Sequence, residues 1–178
     1  NIAFANELSL ICEKQNVNVW DLIQMANCHP RVNILEPGPG VGGHCIAIDP
    51  WFIVAKDLEN AKLIRTAREV NNFKTTWVIK KIKEGVAEFI TKTGKSPKIA
   101  CLGLTFKPDV DDLRESPALH VALSLQSAGY KVLAVEPNIM IHKTLSIVEI
   151  DDALLLADIF VLLVKHKQFV VPRIKNCL

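Results

Sequence analysis

The stretch AKLIRTAREVNNFKTTWVIKKIKEGVAEFITKTGKSPKIACLG, residues 61–103, decides the fold because it joins a long helical pattern to a short strand pattern. From Ala61 to Thr93 it contains no proline and a single glycine, Gly85, and its apolar residues keep a rough helical period. At 1.5 Å per residue such a helix would be about 50 Å long. Gly94 and Pro97 then predict its end. We expect this helix to bridge two domains or to pack against a second subunit.

The chain after Pro97 alternates between the two periods. KIACLGL, KVLAVEP and DIFVLLV have the length and composition of strands, and SPALHVALSLQSAG and DDALLLA have the pattern of helices. Ser116 is a suitable N-cap, and Pro117 suits the first helical position. Strands that alternate with helices predict a parallel, doubly wound, Rossmann-like sheet, of which three strands are visible.

The chain before residue 61 is helical in pattern. NIAFANELSLICEK carries the apolar stripe of an amphipathic helix, and NVNVWDLIQMAN predicts a second helix capped by Asn18. A long loop, CHPRVNILEPGPGVGGHC, follows, and Asp49 with Pro50 predicts the start of a third helix. The fold class is therefore α/β, an all-helical part joined by a long helix to a Rossmann-like part.

Composition indicates an ordinary globular protein. The 178 residues are 49% hydrophobic and 22% charged, with a formal net charge of +2, which gives no reason to expect a nucleic acid or a membrane as partner. The five cysteines are odd in number and scattered, without a C-x-x-C pair, which favours a reducing, cytoplasmic location. The chain begins at Asn1 inside a helical pattern, so we expect it to be a piece of a longer protein.

The segment EPGPGVGGHCIAIDPWF, residues 36–52, carries the strongest chemical signal. Its glycines allow a close backbone approach to a ligand, and a following helix N-terminus would favour the thiolate of Cys45, a nucleophile for carbonyl carbon. Cys45 could equally be a small buried hydrophobic residue. Asp49 could cap the helix or orient a water molecule. A metal site built from His29, His44, Cys45 and Asp49 lacks any recognised zinc spacing, so we predict no metal.

Two other segments carry candidate binding residues. NCHPRVNI places His29 and Arg31 on one loop, where Arg31 could bind a carboxylate, a phosphate or a sugar hydroxyl, or could be a solvated surface charge. GLTFKPDVDDLRESP follows the first strand of the sheet, where such sheets bind ligands, but it is not a G-x-G-x-x-G dinucleotide motif. Lys107 and Arg114 could meet anions there. Glu136, at the end of the second strand, could bind a ribose or could be an ordinary turn residue.

The order of these motifs is specific. NELSLICE, HPRVNI, GPGVGGHCIAIDPWF, RTAREVN and CLGLTFKPDVDDLRESPA together resemble the UDP-glucose/GDP-mannose dehydrogenase family over essentially the whole chain. The resemblance implies a central helical dimerisation domain over residues 1–95, which includes the long connecting helix, and an incomplete UDP-sugar-binding Rossmann-like domain over residues 96–178. The NAD-binding domain of the family, with its G-x-G-x-x-G motif, and the catalytic Lys and Asn of the family are not matched here. We therefore expect the 178 residues alone to be inactive.

The resemblance also implies a reaction. The family oxidises the C6 alcohol of a nucleotide sugar to a carboxylate with two NAD. Cys45 would capture the aldehyde as a thiohemiacetal, which is oxidised to a thioester and then hydrolysed with help from Asp49. His29, Arg31, Gly42, Phe106 and Lys107 would bind the UDP-sugar, with Arg31 acting across a homodimer, and Arg114 would reach toward NAD.

Several readings of function stay open at this point. UDP-N-acetyl-D-mannosamine is the favoured substrate by resemblance, with UDP-N-acetylglucosamine and UDP-glucose as alternatives. A non-catalytic dimeric module that binds a UDP-sugar is a further alternative. A cysteine hydrolase that pairs Cys45 with His44 or His29 is disfavoured, because adjacent side chains rarely point together and no third orienting group is evident.

Overall fold

The computed structural model describes residues 1–169 and confirms the α/β architecture. In chain order the helices and strands are α1 (Ile2–Lys14), α2 (Val19–Ala26), α3 (His44–Lys56), α4 (Lys62–Thr93), β1 (Lys98–Leu102), α5 (Pro117–Ser127), β2 (Lys131–Val135), α6 (Ile150–Leu156) and β3 (Ile159–Leu162). No helix among these residues combines the length and the apolar character that a membrane crossing requires.

The three strands form a parallel sheet in the order β2-β1-β3, so β1 is central and is buried on both faces. Ile99 and Cys101 of β1 belong to the core that α4 and α5 cover. Ala100 and Leu102 alternate with them and belong to the core on the opposite face, which includes Ala153 of α6. This is the doubly wound arrangement that the alternating pattern predicted.

Helix α4 takes part in both halves of the molecule, as its length predicted. Its C-terminal half contributes Ile82 and Val86 to the core of the sheet. Its N-terminal half packs against α1 and α3. Gly94 ends the helix in a left-handed conformation, with φ of 69°. One continuous helix thus holds the helical part and the sheet in one arrangement. The boundary at residue 95 stays a prediction.

The contact between α1 and α4 is polar. Asn6 donates a hydrogen bond to Asn71 at 2.9 Å, and Lys74 donates one to Ser9 at 2.7 Å, with all four side chains buried. The Lys74 ammonium also lies 4.1 Å from the centre of the Trp77 ring. Burial lowers the pKa of Lys74 to about 8, since no acid pairs with it at close range.

The start of α3 corrects one sequence prediction. The helix begins at His44, with Gly43 as its N-cap at φ of 85°, so Asp49 and Pro50 lie inside it and Asp49 caps nothing. Only glycine adopts this cap conformation without strain. Pro50 still lacks an N–H and leaves the carbonyl group of Ile46 without its helical donor. The helix begins six residues earlier than expected because Gly43, not Asp49, supplies the change of direction.

Residues 36–43, here called the glycine segment, lie between α4 and the start of α5. Gly38 donates to Asn6 at 2.9 Å, and Thr75 of α4 donates to the carbonyl oxygen of Pro39 at 2.8 Å. Gly43 donates to the carbonyl oxygen of Arg114 at 3.0 Å. The segment therefore connects the helical part to the loop that follows β1.

The close approach at Gly42 depends on its missing side chain. A Cβ atom there would lie 2.9 Å from Cβ of Phe106 and from Cδ of Pro117, and closer still to the carbonyl oxygen of Glu115. Real Cβ atoms do not make such contacts, and the oxygen belongs to backbone, which moves only with the whole turn. Any side chain at position 42 would push the two parts of the molecule away from each other.

We predict that Gly42→Ala lowers the free energy of unfolding by about 1–3 kcal/mol, because the added methyl group overpacks a buried backbone contact. Gly38→Ala is the matched control: a Cβ at position 38 would meet only the carbonyl oxygen of Gly40, at 3.8 Å. It should change the free energy by less than about 0.5 kcal/mol. Urea unfolding of both variants measures the difference, and equal effects would contradict the account.

We also predict a pH dependence from Lys74. The folded protein releases the Lys74 proton near pH 8, whereas the unfolded chain holds it up to its ordinary pKa of 10.5. Unfolding therefore takes up a proton between these values, so the free energy of unfolding should rise with pH there, by up to about 1.4 kcal/mol per pH unit.

Denaturant unfolding at a series of pH values from 7 to 11 tests this dependence. Lys74→Met should flatten the rise, whereas Lys80→Met, which removes an exposed lysine of the same helix, should leave it in place. Identical pH profiles for Lys74→Met and the unmodified protein would show that Lys74 is not responsible.

Candidate nucleotide-sugar site

Cys45 lies in the first turn of α3, directly after the glycine segment, and its side chain is exposed. Three other cysteines within residues 1–169 are also free thiols, but Cys12 and Cys101 are buried, and burial raises the pKa of Cys101 to about 12. Cys28 is exposed on the loop after α2. Cys45 is thus an accessible thiol in the first turn of a helix.

His44 is closer to Cys45 than sequence reasoning allowed. Its Nδ1 atom lies 3.9 Å from the Cys45 sulfur, although the two residues are adjacent in the chain. The argument that adjacent side chains point apart is therefore wrong for this pair. His44 makes no hydrogen bond to an orienting carboxylate among residues 1–169, so the pair lacks the third group of a hydrolase triad.

Asp49 lies one turn further along α3, four residues after Cys45, and is exposed. Residues four apart on a helix lie on the same face. Its carboxylate makes no hydrogen bond or ion pair within residues 1–169, so it is available to bind a water molecule or a ligand near the thiol. The role of Asp49 stays a prediction.

The loop from Thr105 to Glu115, here called the β1 loop, contributes the candidate binding residues Phe106, Lys107 and Arg114. Phe106 is half-buried against Gly42 and Gly43, and the Lys107 ammonium lies 5.5 Å from the centre of its ring. Lys107 is exposed and has no acidic partner in the described chain. The structure therefore places Phe106 and Lys107 on the same side of the molecule as the glycine segment that leads to Cys45.

Arg114 is held by an acid of its own loop. Its guanidinium group donates to both oxygens of Asp112, at 2.7–3.0 Å, in a bidentate pair. Hydrogen bonds from Arg114 hold the pKa of Asp112 at about 2, with a smaller contribution from the charge of His44. The hydrogen bond to Asp112 also raises the pKa of Arg114, to which the charge of Cys45 adds the smallest contribution. The Arg114–Asp112 pair therefore lies close to the first turn of α3, whose N-cap Gly43 donates a hydrogen bond to the carbonyl oxygen of Arg114.

Glu136, at the end of β2, holds the start of the β1 loop through hydrogen bonds to its backbone. Its buried carboxylate accepts hydrogen bonds from the backbone N–H groups of Leu104, at 2.7 Å, and Thr105, at 3.2 Å, and contacts His166 Nε2 at 3.1 Å. At 3% exposure it cannot meet a ribose in this arrangement, so the turn-residue interpretation is the one that the structure favours.

Sequence reasoning missed His166. Its ring is 1% exposed, and Nδ1 accepts a hydrogen bond from the backbone N–H of Asp109 at 2.9 Å. Nε2 therefore carries the proton and faces the Glu136 carboxylate. Nothing in the local sequence around HKQF shows this role, because the partners lie 30 and 57 residues away.

His29 and Arg31 lie together on the loop that follows α2. Both are exposed on the loop after α2, and the backbone N–H of Arg31 donates to His29 Nδ1 at 3.2 Å. Within residues 1–169 no hydrogen bond or ion pair joins them to Cys45 or to the β1 loop. The structure thus places Gly42 and Gly43 against Phe106 and the backbone of Arg114, and Cys45 directly after them on α3, while the roles of His29 and Arg31 stay predictions.

No group of three or more His, Cys, Asp or Glu side chains is placed to hold a metal ion in the described part of the chain. The chemistry that remains is that of an accessible thiol, one carboxylate and an exposed lysine. These groups suit the capture of a carbonyl carbon and the binding of an anionic ligand.

Comparison with family models and with individual relatives points to one protein family. The central domain of the UDP-glucose/GDP-mannose dehydrogenase family matches residues 1–73, and the UDP binding domain of that family matches residues 100–177. The UDP-N-acetyl-D-mannosamine dehydrogenases of Escherichia coli K12 and Campylobacter jejuni are 58% and 53% identical to the chain. These matches cover 95% and 96% of this chain and 42% of each relative.

A solved structure agrees with this result. The UDP-N-acetyl-mannosamine dehydrogenase of Staphylococcus aureus superposes with a TM-score of 0.77 at 44% identity, over 94% of this chain and 39% of that one. The chain thus spans about two fifths of the length of the relatives it matches. The chain belongs to the UDP-glucose/GDP-mannose dehydrogenase family and carries matches to its central and UDP-binding domains.

Proposed function

We propose that this chain forms the nucleophile-bearing and UDP-sugar-binding part of a dehydrogenase that oxidises the C6 alcohol of UDP-N-acetyl-D-mannosamine to the uronic acid. The observation that carries the proposal is the exposed Cys45 at the N-terminus of α3, next to the β1 loop. The substrate is taken from the relatives, whose names specify UDP-N-acetyl-D-mannosamine.

Cys45 would act after the alcohol has become an aldehyde. Its thiolate adds to the carbonyl carbon, a C–S bond forms, and the carbonyl oxygen takes a proton, which gives a thiohemiacetal. Oxidation of this adduct leaves a thioester on Cys45. Water then breaks the C–S bond, which yields the carboxylate and restores the thiol. Covalent capture keeps the aldehyde bound between the two oxidations.

Other residues of this chain would bind and orient. Asp49, one turn beyond Cys45, would orient the water that attacks the thioester. Lys107 would pair with the diphosphate of the UDP-sugar, and Phe106 would pack beneath it, while the backbone at Gly42 keeps the site narrow. His29 and Arg31 would also contact the sugar, with Arg31 acting from a second subunit.

NAD is the acceptor for both hydrides in the reaction that we propose. The loop after β1 does not carry the G-x-G-x-x-G motif of a dinucleotide site, since Gly103 is its only glycine. The backbone N–H groups of Leu104 and Thr105 in this loop already donate to Glu136. Arg114 is the group that would reach toward NAD, and its guanidinium is already paired with Asp112.

A homodimer through the helical part is also proposed. Large apolar side chains are exposed on its helices: Phe4, Ile11, Trp20, Met25, Phe52, Ile53, Leu63 and Phe73 are each more than half exposed. Exposed apolar side chains in this number are typical of a surface that another protein covers. A second copy of this chain is the partner that a central dimerisation domain implies. The free cysteines support a reducing, cytoplasmic location.

The thiol chemistry can be tested by competition. We expect iodoacetamide to alkylate both Cys45 and Cys28, and UDP-N-acetyl-D-mannosamine to slow the alkylation of Cys45 by about tenfold or more, since a bound sugar covers the thiol. Peptide mass spectrometry follows each site separately. Cys28 is a second exposed thiol in the same digest, and its alkylation without ligand shows that the reagent is active; because it directly precedes His29, its protection by the sugar would report on the role of that loop.

Two variants sharpen this experiment. Lys107→Gln should abolish the protection of Cys45, whereas Lys143→Gln, an exposed lysine elsewhere in the same part of the chain, should keep it. Protection by acyl esters but not by the UDP-sugar would instead indicate a hydrolase. No protection by the UDP-sugar at any concentration would contradict the proposed site.

A further inference from the structure

A second cleft lies between α4 and the start of α5, and Val41 of the glycine segment and Ala47 of α3 also line it. Its volume is about 400 Å³, and Cys45 is not among its lining residues. The groups that matter for its chemistry are Arg68, Asn72 and Thr76 from α4 and Glu115, Ser116 and His120 from the start of α5. It borders the proposed nucleotide-sugar site, with which it shares Glu115 of the β1 loop, but it does not include the Cys45 thiol.

Arg68 is the buried charge of this cleft. Its side chain is 6% exposed, and only one of its nitrogens has a partner in the described chain, with Nη2 donating to Asn72 at 3.2 Å. Nε and Nη1 are buried and have no hydrogen-bond acceptor within residues 1–169. A buried guanidinium group with two unused donors is costly unless an anion or another acceptor completes it.

The acid nearest to this charge does not complete it. Burial lowers the pKa of Arg68, and the charge of Glu115 opposes that shift, but the two side chains form no ion pair within 4 Å. Glu115 is exposed, so water solvates its carboxylate. The buried positive charge therefore stays unneutralised by the described residues.

The rim of the cleft offers further donors. The Asn72 oxygen accepts from Arg68, which leaves its NH₂ group to donate to a ligand. Thr76 and His120 line the cleft and have no side-chain hydrogen bond in the described chain. The N-terminus of α5, capped by Ser116, also lies there and adds the positive end of an eleven-residue helix.

We propose that this cleft is a binding site for an oxyanion, a phosphate group or a carboxylate of a small molecule, with Arg68 as its buried anchor. The oxyanion accepts from Nε and Nη1 of Arg68, and Asn72, Thr76 and His120 complete the contacts at the rim. A phosphate and a carboxylate share this chemistry and differ in charge and in the number of oxygens.

Titration of the 178-residue chain with inorganic phosphate tests the site, followed by thermal unfolding and by amide chemical shifts of α4 and α5. Potassium chloride at matched ionic strength corrects for general salt effects, and acetate at matched concentration reports on a carboxylate. We expect a saturable rise in Tm with phosphate and shifts confined to residues around Arg68 and Ser116.

Variants of two arginines on the same helix decide the outcome. Arg68→Met should weaken the apparent affinity at least tenfold, and Arg68→Lys, which keeps the charge, should weaken it less. Arg65→Met is the matched control, because Arg65 is exposed, pairs with Glu69 and does not line the cleft. Saturation by acetate but not by phosphate would assign the site to carboxylates. Equal binding by Arg68→Met and the unmodified chain, or no saturable response to either anion, would overturn the proposal.

Discussion

The contact of the glycine segment with the β1 loop is the constraint on which the site depends. Gly42 lies so close to Glu115, Phe106 and Pro117 that no side chain fits at position 42, and the N–H of Gly43 donates to the carbonyl oxygen of Arg114. Because Gly43 also caps α3, this contact sets where the helix starts and therefore where Cys45 lies. Backbone packing thus places the helix that carries Cys45 against the loop that carries Lys107.

Two further features make that contact rigid. Helix α4 belongs to both parts of the molecule, packing against α1 and α3 with its first half and against the sheet with its second. The β1 loop, in turn, rests on Glu136 and His166, a buried acid and imidazole that bind its backbone at Leu104, Thr105 and Asp109. Buried polar groups that are fully hydrogen-bonded hold one conformation firmly. The chemistry of the proposed reaction needs such preorganisation, since the thiolate must meet the aldehyde before it escapes.

Sequence predicted most of the fold because its strongest signals are local. The period of residues 61–93, the Asn18 cap and the Ser116–Pro117 pair each specify a helix through neighbouring residues, and all three are confirmed. The Asp49–Pro50 start was wrong because Gly43 changes the chain direction first, and a helix can accommodate an internal proline. The surroundings of Glu136, His166 and Arg68 are formed by residues distant in the chain. No local pattern could therefore show that Glu136 binds backbone amides and faces His166, or that Arg68 is buried without an acidic partner.

The most direct test of this account is the hydrogen exchange of the Gly43 amide, measured by NMR. The account predicts that this N–H, which donates to Arg114 across the two parts of the molecule at 3.0 Å, exchanges at least about a thousandfold slower than in an unstructured peptide. Such protection means that the glycine segment leaves the β1 loop only in a costly opening. Exchange within about tenfold of the unstructured rate would contradict the account, because the glycine segment would then not hold Cys45 against the β1 loop.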